Sequence, residues 1–171
     1  WLSKLNLPEP KTMDDFIKVA TAFAKNDPDG NSKADTYGFA VDNGSGLGYG
    51  TWQQGFYNAY HAYPGAWIKD KSGNLVLGTV QPEMKNAVVQ LNKFYKDGVI
   101  DPEFITKDFL KIYEPLGAGK IGMAFGPYYI GIAPLQSVID TNPGADFINL
   151  PIPSVDSKPA APFTASDIAS Y

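Results

Sequence analysis

The sequence predicts an α/β fold, because segments with helical periodicity alternate with short apolar strands. Two helices carry strong signals: one begins at a capping pattern near residue 12, and the other opens with a proline and closes with a glycine. Short segments rich in aromatic and β-branched residues separate the helices and are typical of buried strands. With 171 residues, the chain has the length of one domain.

Residues 10–25, PKTMDDFIKVATAFAK, predict the first helix. Thr12 and Asp15 resemble a capping box in which Asp replaces the usual Glu or Gln. The helix should end before Asp27, because Pro28 disfavours the helical conformation of the residue before it. The apolar spacing predicts one buried face, formed by Phe16, Val19, Ala20 and Phe23.

The following segments predict a strand, a loop, a helix and a hairpin. TYGFAV, residues 36–41, is typical of a buried strand. Residues 43–50, NGSGLGYG, indicate a flexible loop, since their glycines match neither the dinucleotide-binding nor the Walker spacing. A helix should follow over residues 51–63, with Trp52, Phe56 and Tyr60 on one side. WIKDKSGNLVLG, residues 67–78, predicts a hairpin that turns at residues 71–74.

The second half of the chain begins with the helix of strongest signal, residues 81–98, QPEMKNAVVQLNKFYKDG. Pro82 suits its first turn and Gly98 its C-terminal cap. Its apolar face is predicted to contain Met84, Val88, Leu91, Phe94 and Tyr95. We expect the remaining elements to be a helical turn at 101–104 capped by Asp101, a helix within 109–119, a strand at 120–126, a helix at 127–140, and a strand within 146–155 followed by a proline-rich turn.

Composition and charge exclude several classes of function. The net charge of −4 argues against nucleic-acid binding, which depends on clustered Lys and Arg. The absence of Cys removes disulfides, thiolate zinc sites and cysteine nucleophiles. No apolar run approaches the roughly 20 residues of a membrane span. The sequence starts at Trp1 without an initiator Met or a signal segment, so we expect it to be a piece of a longer protein.

The segment NDPDGNSKADTYGF, residues 26–39, contains a candidate metal loop. Counted from Asp27, the ligand positions of an EF-hand-type calcium loop are Asp27, Asp29, Asn31, Lys33 (through its carbonyl) and Asp35. Position 6, usually Gly, is Ser32, and position 12, usually a bidentate Glu, is Gly38. The alternative is a solvated acidic turn, because Asp, Asn, Gly and Pro are common turn residues. Calcium remains the predicted cofactor.

The sequence contains weaker candidates for catalysis. His61 is the single histidine, and no Ser stands at a recognisable motif spacing from it, so a structural or surface role is favoured. Asp97, Asp101 and Glu103 could in principle form a glycosidase carboxylate pair, but they coincide with helix ends and caps. We therefore predict no catalytic residue.

Aromatic residues beside Gly and Pro are the candidates for ligand binding. The flat apolar face and polar group of Tyr and Trp suit the stacking and hydrogen bonding of sugar rings. The alternative for each residue is a place in the hydrophobic core. The residues in this class are Trp52, Trp67, Tyr128 and Tyr129.

Five segments together resemble the extracellular solute-binding proteins of bacterial ABC importers, in the carbohydrate-binding group that includes maltose-binding protein. The resemblance is strongest to the oligosaccharide-binding lipoproteins of Gram-positive bacteria. It rests on WLSKLNLPEPKTMDDF (1–16), NDPDGNSKADTYGF (26–39), WIKDKSGNLVLGTVQPEMKNAVVQLNKFYKDGVIDPEF (67–104), GAGKIGMAFGPYY (117–129) and LPIPSVDSKPAAPF (150–163).

The resemblance implies a periplasmic-binding-protein-like fold with two lobes that close on a ligand. Residues 1–171 would then be a single α/β lobe, the C-terminal one, with the partner lobe outside this sequence. In that family an aromatic residue after the Gly-Pro turn stacks on sugar, which points to Tyr128 and Tyr129. The segment before the next helix faces the cleft in relatives and points to Tyr49 and Trp52. Calcium in the acidic loop would be structural.

The implied function is capture of a sugar or oligosaccharide outside the cell, without catalysis, and its delivery to the permease of an ABC importer. The implied location is the surface of a Gram-positive cell, through a lipid anchor outside this sequence, or a periplasm. Two alternatives remain: a fragment of a carbohydrate-active enzyme, and a calcium-stabilised cell-surface interaction domain.

Overall fold

A computed structural model describes residues 1–44, 51–126, 128–132 and 134–162. Helices and strands alternate along these residues, which confirms the predicted α/β class. The helices are α1 (Met13–Lys25), α2 (Gln54–Ala59), α3 (Pro82–Lys96), α4 (Tyr113–Gly117) and α5 (Leu135–Thr141). The strands are β1 (Tyr37–Phe39), β2 (Trp67–Lys69), β3 (Leu75–Leu77) and β4 (Ile121–Met123), and 3-10 turns cover Gly78–Val80, Phe104–Thr106 and Tyr128–Gly131.

The strands form two separate pairs. β1 and β4 are parallel, with Tyr37 opposite Ile121 and Phe39 opposite Met123. β2 and β3 form the predicted antiparallel hairpin, whose turn is held by the Asp70 carboxylate. A parallel pair requires a long crossover, and here the crossover contains α2, the hairpin, α3 and α4.

Two glycines allow α1 to lie directly on the parallel pair. A Cβ atom at Gly38 of β1 would collide with the backbone carbonyl of Ala20. A Cβ atom at Gly122 of β4 would collide with the ring of Phe23. Glycine at both positions therefore lets the backbone of the sheet approach the helix closely.

The main core is built from phenylalanines around β1. The ring of Phe39 lies 5.4 Å from that of Phe16, 5.5 Å from that of Phe56 and 5.4 Å from that of Phe94. These residues come from α1, α2 and α3, so Phe39 joins three helices to the sheet. Edge and offset contacts of this kind add to the free energy of burial. The predicted buried face of α1 is confirmed, since Phe16, Val19, Ala20 and Phe23 are all buried.

The start of α1 also agrees with the sequence. The Thr12 hydroxyl accepts a hydrogen bond from the backbone N–H of Asp15, and the Asp15 carboxylate accepts one from the backbone N–H of Thr12. These reciprocal bonds form a complete capping box with Asp at the third position. The hydrogen bond from the Thr12 hydroxyl, followed by those from the backbone, lowers the pKa of Asp15.

The predicted apolar face of α3 is partly wrong. Val88 and Tyr95 are exposed, while the small residue Ala87 is completely buried together with Phe94. The buried face follows Met84, Ala87, Leu91 and Phe94. Ala87 faces the core because its small side chain permits the closest approach of α3 to the core, which the spacing of large apolar residues does not reveal.

The helix predicted over residues 51–63 is shorter, because both of its ends are used for other contacts. At its start, the backbone N–H of Trp52 donates to the Asp42 carboxylate. At its end, His61 adopts a left-handed conformation with φ of 56°, and the N–H of Ala62 donates to the carbonyl of Tyr57. This bond is typical of a Schellman C-cap, which ends the helix.

Two predicted elements in the last third of the chain are wrong. The single helix over 127–140 is divided into a 3-10 turn and α5, and Pro134 lies between them. Residues 146–155 do not form a strand; they include Pro151 and Pro153, which lack the N–H that a sheet requires. This segment instead bonds to the helices, through the Ser154 carbonyl to the N–H of Met13 and the Val155 N–H to the carbonyl of Ala59.

Across the residues that the structure describes, no helix is both long enough and apolar enough to cross a membrane.

Replacing Thr12 by Ala should lower the free energy of unfolding by about 1 kcal/mol, because the capping hydroxyl of α1 is lost. Urea denaturation of the two proteins measures this difference. Thr21→Ala, in the middle of the same helix, is the matched control and should be neutral or slightly stabilising, since Ala has the higher helix propensity. Equal destabilisation by both changes would contradict the capping role.

Candidate functional site

The carboxyl ends of β1 and β4 lie side by side and form the candidate ligand-binding edge. Because the strands are parallel, residues 40–44 and residues 124–126 leave the sheet in the same direction. The N–H of Ala40 donates to the carbonyl of Met123 across the edge, at 2.9 Å. In open α/β sheets, ligands bind outside the carboxyl ends of the strands. The pairing therefore brings together two loops that are about 80 residues apart in the sequence.

Asp42 organises the first of these loops. Its buried carboxylate accepts hydrogen bonds from the N–H of Gly44 at 2.7 Å and the N–H of Trp52 at 2.9 Å. The side chain of Gln53 accepts a bond from the N–H of Asp42 at 3.2 Å. Asp42 thus links Gly44 to Trp52, which come before and after residues 45–50 in the sequence. Sequence analysis missed this residue, since an Asp after a strand is also an ordinary turn residue.

Trp52, a predicted ligand residue, lies in the hydrophobic core in this arrangement, and its contact with a ligand stays an untested prediction. Its side chain is completely buried, and its indole N–H donates to the carbonyl of Phe109 at 2.8 Å. The indole stacks on the Phe109 ring at 4.9 Å and meets the Tyr113 ring edge-on at 5.9 Å. A Cβ atom at Gly126 would lie 3.1 Å from the indole. Trp52 therefore forms the floor beneath the second loop.

Tyr129 is the predicted ligand residue that lies at the edge with a partly exposed side chain. It belongs to the 3-10 turn that follows β4, and 40% of its surface is accessible. Burial raises the pKa of Tyr113, and a side-chain hydrogen bond with Tyr129 raises it further. Trp52 packs against Tyr113, and Tyr113 is a side-chain neighbour of Tyr129. Tyr113 was not foreseen, because nothing in its sequence context distinguishes it from a core residue.

The other aromatic predictions have different outcomes. Trp67 is 68% exposed, but it lies on the β2–β3 hairpin, whose following 3-10 turn packs on α3. The aromatic face of Trp67 is therefore accessible to solvent, but Trp67 belongs to a different element from the two loops of the binding edge. Tyr49 lies outside the described residues, and so does the side chain of Tyr128, whose backbone belongs to the 3-10 turn. For these two residues, ligand contact stays a prediction.

The acidic loop lies at the opposite, amino end of the parallel pair. Asp27 uses both carboxylate oxygens to accept backbone N–H groups: those of Gly30 and Asn31 at 2.9 and 3.0 Å, and that of Ser32 at 2.9 Å. Desolvation raises the pKa of Asp27, but these hydrogen bonds outweigh it and the net pKa is lowered. Asp27 therefore stabilises the turn by accepting hydrogen bonds from three of its backbone N–H groups.

The remaining carboxylates of the loop face a lysine from another part of the chain. The Lys120 ammonium lies 2.7 Å from an Asp35 oxygen and 3.2 Å from an Asp29 oxygen. The hydrogen bond from Lys120, followed by that from Asn31, lowers the pKa of Asp35. The same bond to Asp35 is the main reason that the pKa of Lys120 is raised. Sequence analysis missed Lys120, which is 85 residues from Asp35.

The residues of this loop do not fit a calcium ion in the arrangement observed. Asn31 directs its amide N–H groups at Asp29 and Asp35, and its oxygen accepts the N–H of Lys33 at 2.7 Å. Within the described part of the chain, no group of three or more His, Asp or Glu side chains is arranged to hold a metal. Position 12 is Gly38, which is in contact with α1 inside the fold. Calcium binding by Asp27, Asp29, Asn31, Lys33 and Asp35 would require these side chains to rearrange, and it stays a prediction.

Other polar clusters have structural contacts. The Asp101 carboxylate accepts the N–H of Glu103 at 2.9 Å and pairs with the Lys107 ammonium at 2.9 Å, so it supports the turn as expected. His61 Nε2 lies 3.1 Å from the Asp156 carboxylate and 3.4 Å from the Ser154 hydroxyl. Both partners approach the same ring nitrogen, whereas a catalytic triad uses both nitrogens. His61 instead connects the end of α2 to the segment around Asp156.

Ser32→Gly should stabilise the protein by about 0.5–1 kcal/mol, because Ser32 adopts a left-handed φ of 62° that favours glycine. Thermal or urea unfolding measures the change. Ser72→Gly, in the hairpin turn, is the control: no left-handed φ occurs at Ser72, and extra flexibility should leave stability unchanged or lower. A loss of stability in Ser32→Gly would show that the Ser32 side chain makes a stabilising contact.

Comparisons with known proteins reveal several relatives, although no protein-family model matches the chain. The chain is 36% identical over 126 residues to lipoprotein LipO of Bacillus subtilis, covering 72% of this chain and 24% of LipO. It is 32% identical over 126 residues to YtcQ of the same species, a polygalacturonan/rhamnogalacturonan-binding protein, covering 74% of this chain and 24% of YtcQ. It is also 32% identical over 117 residues to FusA of Streptococcus pneumoniae, a fructooligosaccharide ABC transporter substrate-binding protein, covering 64% of this chain and 20% of FusA. The chain therefore spans about a quarter or less of the length of these relatives.

Solved structures lead to the same group of proteins. FusA in complex with kestose matches with a TM-score of 0.62 and 26% identity, covering 74% of this chain and 26% of FusA. An extracellular solute-binding protein from Bifidobacterium longum subsp. infantis matches with a TM-score of 0.70 and 25% identity, covering 90% of this chain and 32% of that one. A further structure of FusA is of an EF-hand mutant in complex with fructo-nystose. The fold is thus that of a part of these larger proteins.

Proposed function

The chain belongs to the extracellular solute-binding proteins of bacterial ABC transporters, and we propose that the complete protein binds an oligosaccharide outside the cell for import. The observation that supports this proposal is the joint edge of β1 and β4, where the partly exposed Tyr129 lies beside Tyr113, whose ring in turn packs against the buried Trp52. An exposed tyrosine held in place by packed neighbours is suited to stacking on a sugar ring.

The relatives support the choice of ligand class. YtcQ and FusA are both described as binding oligomeric or polymeric carbohydrates, and FusA has been solved with kestose. These sugars differ in charge and in linkage, so they support an oligosaccharide in general and no particular one. The relatives are binding proteins and not enzymes, which agrees with the prediction that the chain has no catalytic activity.

The proposed mechanism is binding without chemistry. Residues 1–171 would form the C-terminal α/β lobe, and a partner lobe outside this sequence would supply the other wall of the cleft. A ligand that contacts both lobes binds the closed state more tightly than the open one, so it shifts the population toward closure. The closed form would then deliver the sugar to the permease subunits of an ABC importer.

The proposed location is the outer surface of the cell, or a periplasm. LipO is named as a lipoprotein, and the Bifidobacterium protein as extracellular. A lipid anchor outside these residues would hold the protein at the membrane without a membrane-spanning helix.

Calorimetric titration of the full-length protein with fructo-, galacturono-, rhamnogalacturono- and malto-oligosaccharides tests the proposal. We expect at least one class to bind, and Tyr129→Ala to weaken that binding about tenfold, because a stacking face is lost. Tyr95→Ala is the matched control, since Tyr95 is exposed to a similar degree but lies on α3. The absence of binding to every class of a broad glycan library would overturn the carbohydrate assignment.

Tyr113→Phe should weaken the same binding about two- to tenfold, because Tyr129 loses its hydrogen-bonding neighbour, the Tyr113 hydroxyl. The melting temperature measured in parallel separates this effect from general destabilisation. Tyr63→Phe, which removes a hydroxyl bonded to the Ala161 carbonyl, is the control and should leave affinity unchanged. Unchanged affinity in Tyr113→Phe, together with a loss in Tyr129→Ala, would rule out Tyr113 as a positioning residue.

A further inference from the structure

We propose that Lys120 is the permanent cation of the acidic loop, so that an ammonium group from the same chain neutralises the carboxylates that were expected to hold calcium. The proposal rests on the contacts of residues 27–36 and Lys120. It is independent of the carbohydrate ligand, since the loop lies at the end of the parallel pair opposite to the candidate binding edge.

The ammonium of Lys120 takes a bridging place between two carboxylates. Its Nζ atom donates to Asp35 Oδ2 at 2.7 Å and to Asp29 Oδ2 at 3.2 Å. The amide nitrogen of Asn31 donates to the same pair, to Asp29 Oδ2 at 2.8 Å and to Asp35 Oδ1 at 3.1 Å. Two nitrogen donors thus occupy the space between the carboxylates. A calcium ion in this space would have to be surrounded by oxygen atoms instead.

The backbone fixes Lys120 at this place. Its carbonyl accepts the N–H of Tyr37 at 2.8 Å, in line with the parallel pairing of β1 and β4. Its own N–H donates to the carbonyl of Pro115 in α4 at 2.9 Å. Asp35 is two residues before Tyr37, so the register of the strands brings the lysine and the loop together. The contact is therefore a consequence of the fold and not of a chance encounter between surface side chains.

Two other side chains that could supply oxygens to a calcium ion, Asp27 and Thr36, are engaged elsewhere. Both oxygens of Asp27 accept backbone N–H groups. The hydroxyl of Thr36, the next side-chain oxygen along the chain, is buried and donates to the carbonyl of Phe23 at 2.8 Å. Gly38, at position 12, contributes no side chain. Calcium requires six to eight oxygens, so an ion would have to displace Lys120 and reorient Asn31 without gaining a bidentate ligand.

Removal of the lysine should therefore leave two neighbouring carboxylates without their cation. Asp29, Asp35 and Lys120 are all partly buried, and the cost of the unpaired charges is reduced by solvent but not abolished. Salt screens such interactions, so the effect of removing Lys120 should be larger at low ionic strength than at high ionic strength.

Thermal unfolding of the full-length protein tests the proposal, with calcium and with EDTA as the probes. We expect the melting temperature of the wild-type protein to change by less than about 1 °C between the two conditions, because no metal is needed. Lys120→Met should lower it by about 2–4 °C at low salt. The control is Lys85→Met, a change of the same type at an exposed residue of α3, which should have no effect.

Two results would overturn the proposal. One is a fall of several degrees in the wild-type protein on addition of EDTA, reversed by calcium, which would identify a metal as the cation. The other is a melting temperature of Lys120→Met equal to that of Lys85→Met, which would show that the ion pairs contribute nothing. Should Lys120→Met fail to fold, Lys120→Arg and Asp35→Asn provide the same comparison. Lys120→Arg should keep the wild-type melting temperature. Asp35→Asn should lower the melting temperature by about the amount expected for Lys120→Met.

Discussion

The parallel pairing of β1 with β4 is the constraint on which the rest of this structure depends. It joins segments that are more than 80 residues apart, and it is possible because Gly38 and Gly122 leave room for α1 to cover both strands. The same pairing determines what lies at each end of the sheet. At the carboxyl end, the loops after Phe39 and Met123 meet and form the candidate binding edge. At the amino end, Lys120 meets the acidic loop.

The two ends of this pair of strands therefore differ: the amino end carries stabilising contacts, and the carboxyl end carries the proposed binding site. The amino end is held by ion pairs and by the backbone hydrogen bonds of Asp27, which close the connection between α1 and β1. The carboxyl end is held by the buried carboxylate of Asp42 and by the stack of Trp52 on Phe109. A binding loop supported by packed and hydrogen-bonded neighbours costs less to order when the ligand arrives. The exposed surface of Tyr129 is the part that the proposed ligand would contact.

The aromatic residues illustrate how little composition says about roles. Trp52 and Tyr129 both follow Gly-rich or Pro-containing segments, and both suit sugar binding by chemistry alone. Trp52 is in the core because its indole N–H finds the carbonyl of Phe109, which satisfies its polar group away from solvent. Tyr129 lies at the surface because it follows the end of β4, where the sheet stops. The direction of each side chain depends on packing with residues far away in the sequence. It therefore cannot be predicted from the neighbouring residues alone.

The sequence by itself determined the local elements and the family: the capping box of α1, the hairpin, the proline-led α3 and the order of motifs are properties of neighbouring residues. It failed where a distant partner decides the outcome. Val88 is exposed because Ala87 faces the core, and residues 146–155 pair with helices instead of strands. The ligand pattern of the acidic loop was visible in the sequence, but its cation partner Lys120 was not. Only the tertiary structure places an ammonium between Asp29 and Asp35, because strand register and not sequence distance brings these charges together.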